Sequence, residues 1–338
     1  MTSLAEPVVF DCFLRPQVWG GNRLASFLNT SPPTDQPIGE AWVLSGHPLH
    51  VSQVFAGPLS GMRLTDLYEQ DPQGLLGDVL PVSRDFPWLV KFLDCHDLLS
   101  VQVHPTDELA ARWTQGERGK TEAWVVLDAE PGSAIFAGLK LGVTRSRLEQ
   151  ALDDGTVADC LHRHVPRPGD CFFLPAGTIH AVGGGVLMAE VQQTSDATFR
   201  LFDWNRRGPD GQPRKLHRTE ALACIDWSRG PVQPQIPQPI DNLPAGTSGE
   251  LLVDCPYFRL SRFHLDREWQ PRATGRLCAW VVLEGQMEVS IDAETSTQIV
   301  GRGGAVLIPS AVPNHHLRPI GSVTLLHVTT GSPDPSKT

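Results

Sequence analysis

Long apolar runs are missing from this 338-residue chain. No stretch approaches the roughly 18–20 consecutive apolar residues of a membrane-spanning helix, so no membrane partner is expected. Cysteine is sparse and unpatterned: seven residues, an odd number, with no CxxC pair. That usage fits reduced thiols better than a disulfide framework, and it excludes a cysteine-rich zinc motif. Any metal must therefore rest on His and oxygen donors. Positive charge is also in short supply. Lys and Arg number 28 against 38 Asp and Glu, for a formal net charge of -10, which argues against a nucleic-acid or anionic-membrane surface. An anionic small molecule is compatible with that balance only if basic residues are concentrated locally. The opening MTSLAEPVVFDCFLRP lacks a basic region followed by an apolar core, so no secretory leader is expected and the anticipated setting is cytoplasmic.

What the chain has is punctuation. Thirty-one Gly and 29 Pro among 41% hydrophobic residues predict a folded, mainly β protein of many short strands joined by turns. The length suits two packed units. Strands are expected near 8–13, 40–46, 50–55, 87–93, 98–103 and 121–128. Trp19-Gly20-Gly21 reads as a tight corner. Short helices are expected over 62–79, after His104, over 144–163 with a break near Gly155, and over 214–227. The Pro/Gly/Gln-rich stretch 229–249 reads as a linker. It divides the chain into an N-terminal catalytic unit (1–228) and a C-terminal unit (250–331), with a loose tail at 332–338.

An internal echo supports two related units. AWVVLD at 123–128 returns as AWVVLE at 279–284, and GDCFFLPAGTIH at 169–180 returns as GGAVLIPSAVPN at 303–314. The offsets are 156 and 134, so the N-terminal unit carries about 22 extra residues between its copies, where the 144–163 helix is expected.

The chemistry concentrates between Phe86 and Ala123. Gln102 and His104 alternate within an apolar run, as do Lys120 and Glu122 further on. Residues two apart in a strand share a face, so each pair looks into one interior. That is an odd way to fill an apolar core and a reasonable way to hold a divalent metal beside a substrate. Gly169, Pro175, Gly177 and His180 have the form G-x5-P-x-G-x2-H, the second signature of the cupin fold, a double-stranded β-helix of the jelly-roll kind. The turn would aim His180 into the barrel.

A cupin normally supplies two His one residue apart, with a carboxylate soon after. Here Gln102 replaces the first His, and Glu122 follows a helical insert. The segments LLSVQVHP, GKTEAW, PAGTIHA and QTSDATFRLFDWNR together resemble the type I mannose-6-phosphate isomerases, most closely their short bacterial form. The likeness runs from about Trp19 to Trp227. It implies that Gln102, His104, Glu122 and His180 bind one zinc ion per chain, other divalent cations being admissible. It implies a functional arginine at Arg200 and an acidic pocket residue at Glu190. Interconversion of mannose 6-phosphate and fructose 6-phosphate would proceed through an enediol, with Glu190 or Lys120 moving the proton. A metal beside Lys120 should favour its neutral amine. Lys91, Ser100, Arg206 and Arg207 are candidates for the phosphate.

The C-terminal unit departs from the pattern. Cys278 stands at the echo of Glu122 and Asn314 at that of His180, while His315 should face away if the strand is regular. This unit is expected to hold no catalytic metal. Three rival readings accompany the isomerase: an isomerase of unphosphorylated aldoses such as mannose, an iron cupin dioxygenase, and a non-catalytic sugar-binding cupin. The partner is expected to be a small sugar phosphate, with the chain a monomer or homodimer.

Overall fold

The two AWVVL segments explain the architecture through their alternation. In strand Glu122–Ala129, Trp124 and Val126 cluster with Ile135, Ala137 and Val182, whereas Ala123 and Val125 cluster with Ala279, Val281 and Leu307. In strand Cys278–Ser290, Trp280 and Val282 cluster with Phe263, Met287 and Leu325, and Ala279 and Val281 turn to the shared cluster. Each Trp thus fills its own barrel, and each Ala-Val row packs the barrels back to back. Both faces of these strands are buried, which is why they read as continuous apolar runs.

The computed structural model describes residues 4–31, 35–77, 86–207, 211–291, 297–312 and 314–331. The expected tail lies outside them. The N-terminal barrel combines a seven-stranded and a five-stranded antiparallel sheet, and an eight-stranded sheet forms the C-terminal unit. The seven-stranded sheet runs Cys171–Leu174, Glu122–Ala129, Val186–Gln193, Trp88–Cys95, Ile38–His47, Phe13–Gly21, with the short strand His50–Val51 also pairing with Ile38–His47. The five-stranded sheet runs Phe199–Phe202, Val101–Val103, His180–Gly183, Ala134–Leu139, Leu161–His164. Strand Val8–Val9, at the start of the described chain, joins the C-terminal sheet through Leu307 and Val306. The mainly β, double-cupin expectation is met.

The echoes match pair for pair. Val125 opposes Cys171 as Val281 opposes Ala305, and Glu122 opposes Leu174 as Cys278 opposes Ile308. On the other side Trp124 opposes Glu190, and Trp280 opposes His327. The extra N-terminal residues form helix Arg145–Asp154 and the 3-10 turn Val157–Cys160. Thr144 caps that helix by accepting from the Arg147 amide, and Gly155 ends it at φ 73°, a conformation that favours glycine. The helix therefore stops nine residues before the expected end, and Leu161–His164 is a strand. The expected 214–227 helix is confined to Arg218–Cys224, and 62–79 resolves into Leu64–Gln70 and Pro72–Leu76, with 78–79 outside the described residues. The helices Arg145–Asp154 and Arg218–Cys224 lay Leu148, Ala151, Ala221 and Leu222 on the outer face of the five-stranded sheet. Trp19-Gly20-Gly21 ends a strand rather than forming a free corner. A Cβ on Gly20 would lie 2.5 Å from the Gly39 amide nitrogen. Stretch 229–249 is tied down as it crosses the sheets: Val232 N donates to Ala137 O and Gln235 N to Cys171 O. Among the described residues, no helix is long and apolar enough to cross a membrane.

His315 corrects one expectation. It precedes the regular strand His316–Thr329, and it is buried while Asn314 is exposed. Its Nε2 accepts from Trp280 Nε1 at 2.9 Å, and the His327 ring packs against Trp280 at 4.2 Å between centroids, tilted by 31°. Burial lowers His315 to about 4 and His327 to about 3, with neighbouring positive charge adding to the effect. Both are therefore neutral in the fold, whereas an unfolded imidazole protonates near ~6.5. Between pH ~6.5 and ~4 the unfolded chain binds more protons, so stability falls as pH falls, by on the order of 3 kcal/mol per imidazole. His327→Phe keeps a ring against Trp280 and removes one titration. Urea unfolding at pH 7 and pH 5 should show a smaller loss in the variant than in the parent; equal losses would refute this account.

Candidate active site

The site begins with register. Gln102, at the centre of the short strand Val101–Val103, opposes His180 on one side and Arg200 on the other. Gly177, at φ 87°, makes the turn that presents His180, and its amide donates to His104 O at 2.9 Å. The G-x5-P-x-G-x2-H loop is thus pinned to the strand that carries His104. Glu122 enters at the start of its own strand, opposite Leu174 and Gln192.

Hydrogen bonds fix both imidazoles. His104 Nδ1 donates to Ala197 O at 2.8 Å, and His180 Nδ1 donates to Thr178 O at 2.9 Å. A carbonyl can only accept, so each Nε2 keeps its lone pair. Those lone pairs converge on Glu122: His104 Nε2 lies 3.4 Å from Oε2, and His180 Nε2 lies 3.4 Å from Oε1. One donor atom from each of the three lies within 4.8 Å of the others, all buried. The Gln102 amide is 3.3 Å from His180 Nε2, and a half-turn of its last torsion offers oxygen in place of nitrogen.

The fit to a cation rests on Glu122. Its carboxylate is fully buried, and neither oxygen receives a hydrogen bond of good geometry, although Lys120 Nζ sits 2.9 Å from Oε2. Burial pushes this carboxyl up to about 7 against the pull of Lys120. Burial, reinforced by Lys120, holds His104 well below the ordinary imidazole range, and burial lowers His180 to about 4. Two neutral imidazoles, an underserved carboxylate and an amide suit a borderline divalent cation.

Around Lys120 two effects oppose each other. Burial disfavours its charge, but Glu122 and Glu190 outweigh burial and hold the ammonium above its ordinary value. Glu190 is ionised more readily than usual: burial opposes its charge, and Lys120, Lys91 and the Trp124 indole overcome burial. Trp124 Nε1 donates to Glu190 Oε2 at 3.0 Å, which leaves Oε1 with no hydrogen bond, 3.8 Å from Lys120 Nζ.

A cavity of about 300 Å³ opens beside these groups. Gln102, Lys120, Glu190, Lys91, Ser100 and Arg200 line it. Lys91 is held between Glu40 (3.6 Å) and Glu190 (3.5 Å) and lies over the Trp42 ring. Arg200 Nε donates to Ser100 Oγ at 3.3 Å. Arg206 is not among the lining residues: its guanidinium donates to Leu98 O and to Asp203. Arg207 likewise turns to Gly211 O. Arg214 and His217 occupy that end instead, and Arg15, Gln17 and Glu40 form the opposite wall. Arg15, Gln17 and Trp19 alternate along one strand, a signal the sequence did hold. Arg214 and His217 precede a helix and show no such pattern.

Two back-to-back β-barrels, one with a buried His/Glu/His group opening on a charged cavity, define a bicupin with a candidate metal centre. Residues 8–123 match the type I phosphomannose isomerase catalytic domain. A Bacillus subtilis mannose-6-phosphate isomerase, ManA, is 35% identical over 261 residues, spanning 77% of this chain and 80% of the relative. A Streptococcus mutans mannose-6-phosphate isomerase is 32% identical over 314 residues, 91% of this chain and 94% of the relative. The crystal structure of mannose 6-phosphate isomerase from Bacillus subtilis aligns over 96% of this chain and 99% of its own, at TM-score 0.86 and 28% identity. The chain belongs to the type I phosphomannose isomerase family of aldose–ketose isomerases.

Proposed function

We propose that this chain interconverts mannose 6-phosphate and fructose 6-phosphate with one zinc ion held by Gln102, His104, Glu122 and His180. The observation that carries the reading is the buried Glu122 carboxylate between two Nε2 lone pairs, at the edge of a cavity that also holds Glu190 Oε1. When bound, zinc supplies Lewis acidity to the oxygens on the two reacting carbons.

Aldose and ketose differ by a proton on carbon and a proton on oxygen. Glu190 Oε1 receives no hydrogen bond and faces Lys91 Nζ at 3.5 Å and Lys120 Nζ at 3.8 Å; it takes the proton from the aldose C2 and returns it to C1, while the hydroxyl proton passes from O2 to O1 within the enediolate. Lys120, 3.8 Å away and cationic, binds the substrate hydroxyls and balances the charge of Glu190. Arg200, fixed through Ser100, faces the reacting oxygens from the other side of Gln102. For the phosphate, Arg214, Ser100 and Thr198 offer donors at one end of the cavity, with His217 beside them. Lys91 is committed to two carboxylates and orients Glu190.

Two measurements test this reading. Elemental analysis should return one zinc per chain, and a second ion would refute the assignment of a single centre. The zinc-loaded chain should turn over mannose 6-phosphate far faster than mannose. Equal rates would remove the phosphate from the proposal and favour the unphosphorylated substrate.

A further inference from the structure

Outside the cavity, one carboxylate is built into the loop that orients His104. Glu117 Oε2 accepts from the Asp196 amide at 2.9 Å and, at 3.1 Å, from the Ser195 hydroxyl, which it shares with Arg118 O at 2.8 Å, while Oε1 lies 3.1 Å from His47 Nε2. His47 Nδ1 accepts from the Leu49 amide, so Nε2 carries the proton and donates to Glu117. Three donors from two separate parts of the chain, residues 195–196 and His47, thus converge on one side chain. Ser195 is fully buried, and its oxygen also accepts from the Ala197 amide at 3.1 Å. Ala197 O is the acceptor for His104 Nδ1. Glu117 therefore fixes residues 195–197, and residues 195–197 fix the imidazole.

Glu117 is partly exposed and does not line the reaction cavity. It touches no candidate ligand directly. We infer that Glu117 is a positioning residue for the metal centre, holding the 195–197 loop so that Ala197 O locks His104 in the tautomer and rotation that aim Nε2 at the cation. The inference rests on the metal-centre reading above. Its energetic logic is that of outer hydrogen-bond partners of metal-binding histidines, whose loss lowers metal affinity about 10–100-fold.

The test compares Glu117→Ala and Glu117→Gln with the parent by zinc competition against a chromophoric chelator, with thermal unfolding of each metal-free chain as the control. Glu117→Ala removes the acceptor for all three donors and should weaken zinc about tenfold. Glu117→Gln keeps one oxygen for the loop and should stay within about threefold of the parent. The visible spectrum of cobalt placed at the same centre should shift in Glu117→Ala and keep its shape in Glu117→Gln. A merely structural role predicts a lower unfolding temperature for Glu117→Ala with unchanged zinc affinity and unchanged cobalt spectrum, and that outcome overturns the inference. Should Glu117→Ala fail to fold, Ser195→Ala removes the hydroxyl that ties the Ala197 amide to Glu117 and to Arg118 O. Weaker zinc binding in that variant supports the inference, and parental binding overturns it. A parent chain that binds no zinc would instead overturn the metal-centre reading itself.

Discussion

Glu122→Gln is expected to abolish stoichiometric zinc binding and to lower mannose 6-phosphate turnover by at least about a thousandfold. The shape of the side chain survives; its charge does not. Glu122 is the anionic member of the set, lying 3.4 Å from each imidazole Nε2 and receiving no well-formed hydrogen bond. A divalent cation left with two imidazoles and two neutral amides loses its principal charge partner. Several kcal/mol of polarisation at the reacting oxygens would go with it, and three decades of rate correspond to about 4 kcal/mol. The variant should fold, because an amide in that place relieves the burial that pushes the carboxyl up to about 7. Metal content and kcat measured on the same preparation check the prediction. Retention of both would show that the His/Glu/His group is not the reaction centre.

Glu190→Gln separates proton transfer from metal binding. Glu190 Oε2 is held by the Trp124 indole at 3.0 Å, and the carboxamide oxygen can keep that bond. Only the basic oxygen is lost. Turnover should fall about 10²–10⁴-fold, the usual contribution of a positioned acid or base. Zinc content should be unchanged, and KM should change little if Glu190 acts chiefly in the transition state. Exchange of the C2 proton with solvent should fall in parallel. A variant with parental kcat would transfer the proton-carrying role to Lys120, whose nitrogen lies 3.8 Å from Glu190 Oε1.

Much of this site could be read from residue alternation. Gln102 and His104, like Lys120 and Glu122, are polar pairs two apart in apolar strands, and the Gly–Pro–Gly–His spacing identified the turn that brings in His180. The echo went further, since the two barrels repeat the same cross-strand partners from Glu122–Leu174 to Cys278–Ile308. Glu190 and Arg200 carried no local signal and came from family resemblance. Arg15 and Gln17 were legible in principle, but Pro16 and the Gly20-Gly21 pair masked their strand as a turn. Arg206 shows where linear reading fails. Trp204 and Asn205 both adopt φ near 55°, a reversal no pattern announces; Arg206 and Arg214 both bind Asp203, and of the two Arg214 lines the cavity. Burial of like against unlike charge is equally invisible in a sequence: the two carboxylates around Lys120 favour its charged form, whereas the expected neutral amine presupposes a bound cation beside it.

The pairing of Val8–Val9 with Leu307 and Val306 bears on how the chain is made. A ribosome releases residues in order, at about 5–20 per second. On that scale Val8–Val9 waits on the order of 15–60 s for its partner, some three hundred residues later, to be synthesised. Until then Val8–Val9 has an unpaired edge, and Ala123 and Val125 face a partner surface that does not yet exist. The half that carries the reaction chemistry is thus complete in sequence long before it is covered. A truncated or stalled product ending near residue 249 would keep every candidate site residue and still display that apolar face, making it a substrate for chaperones and a seed for aggregation.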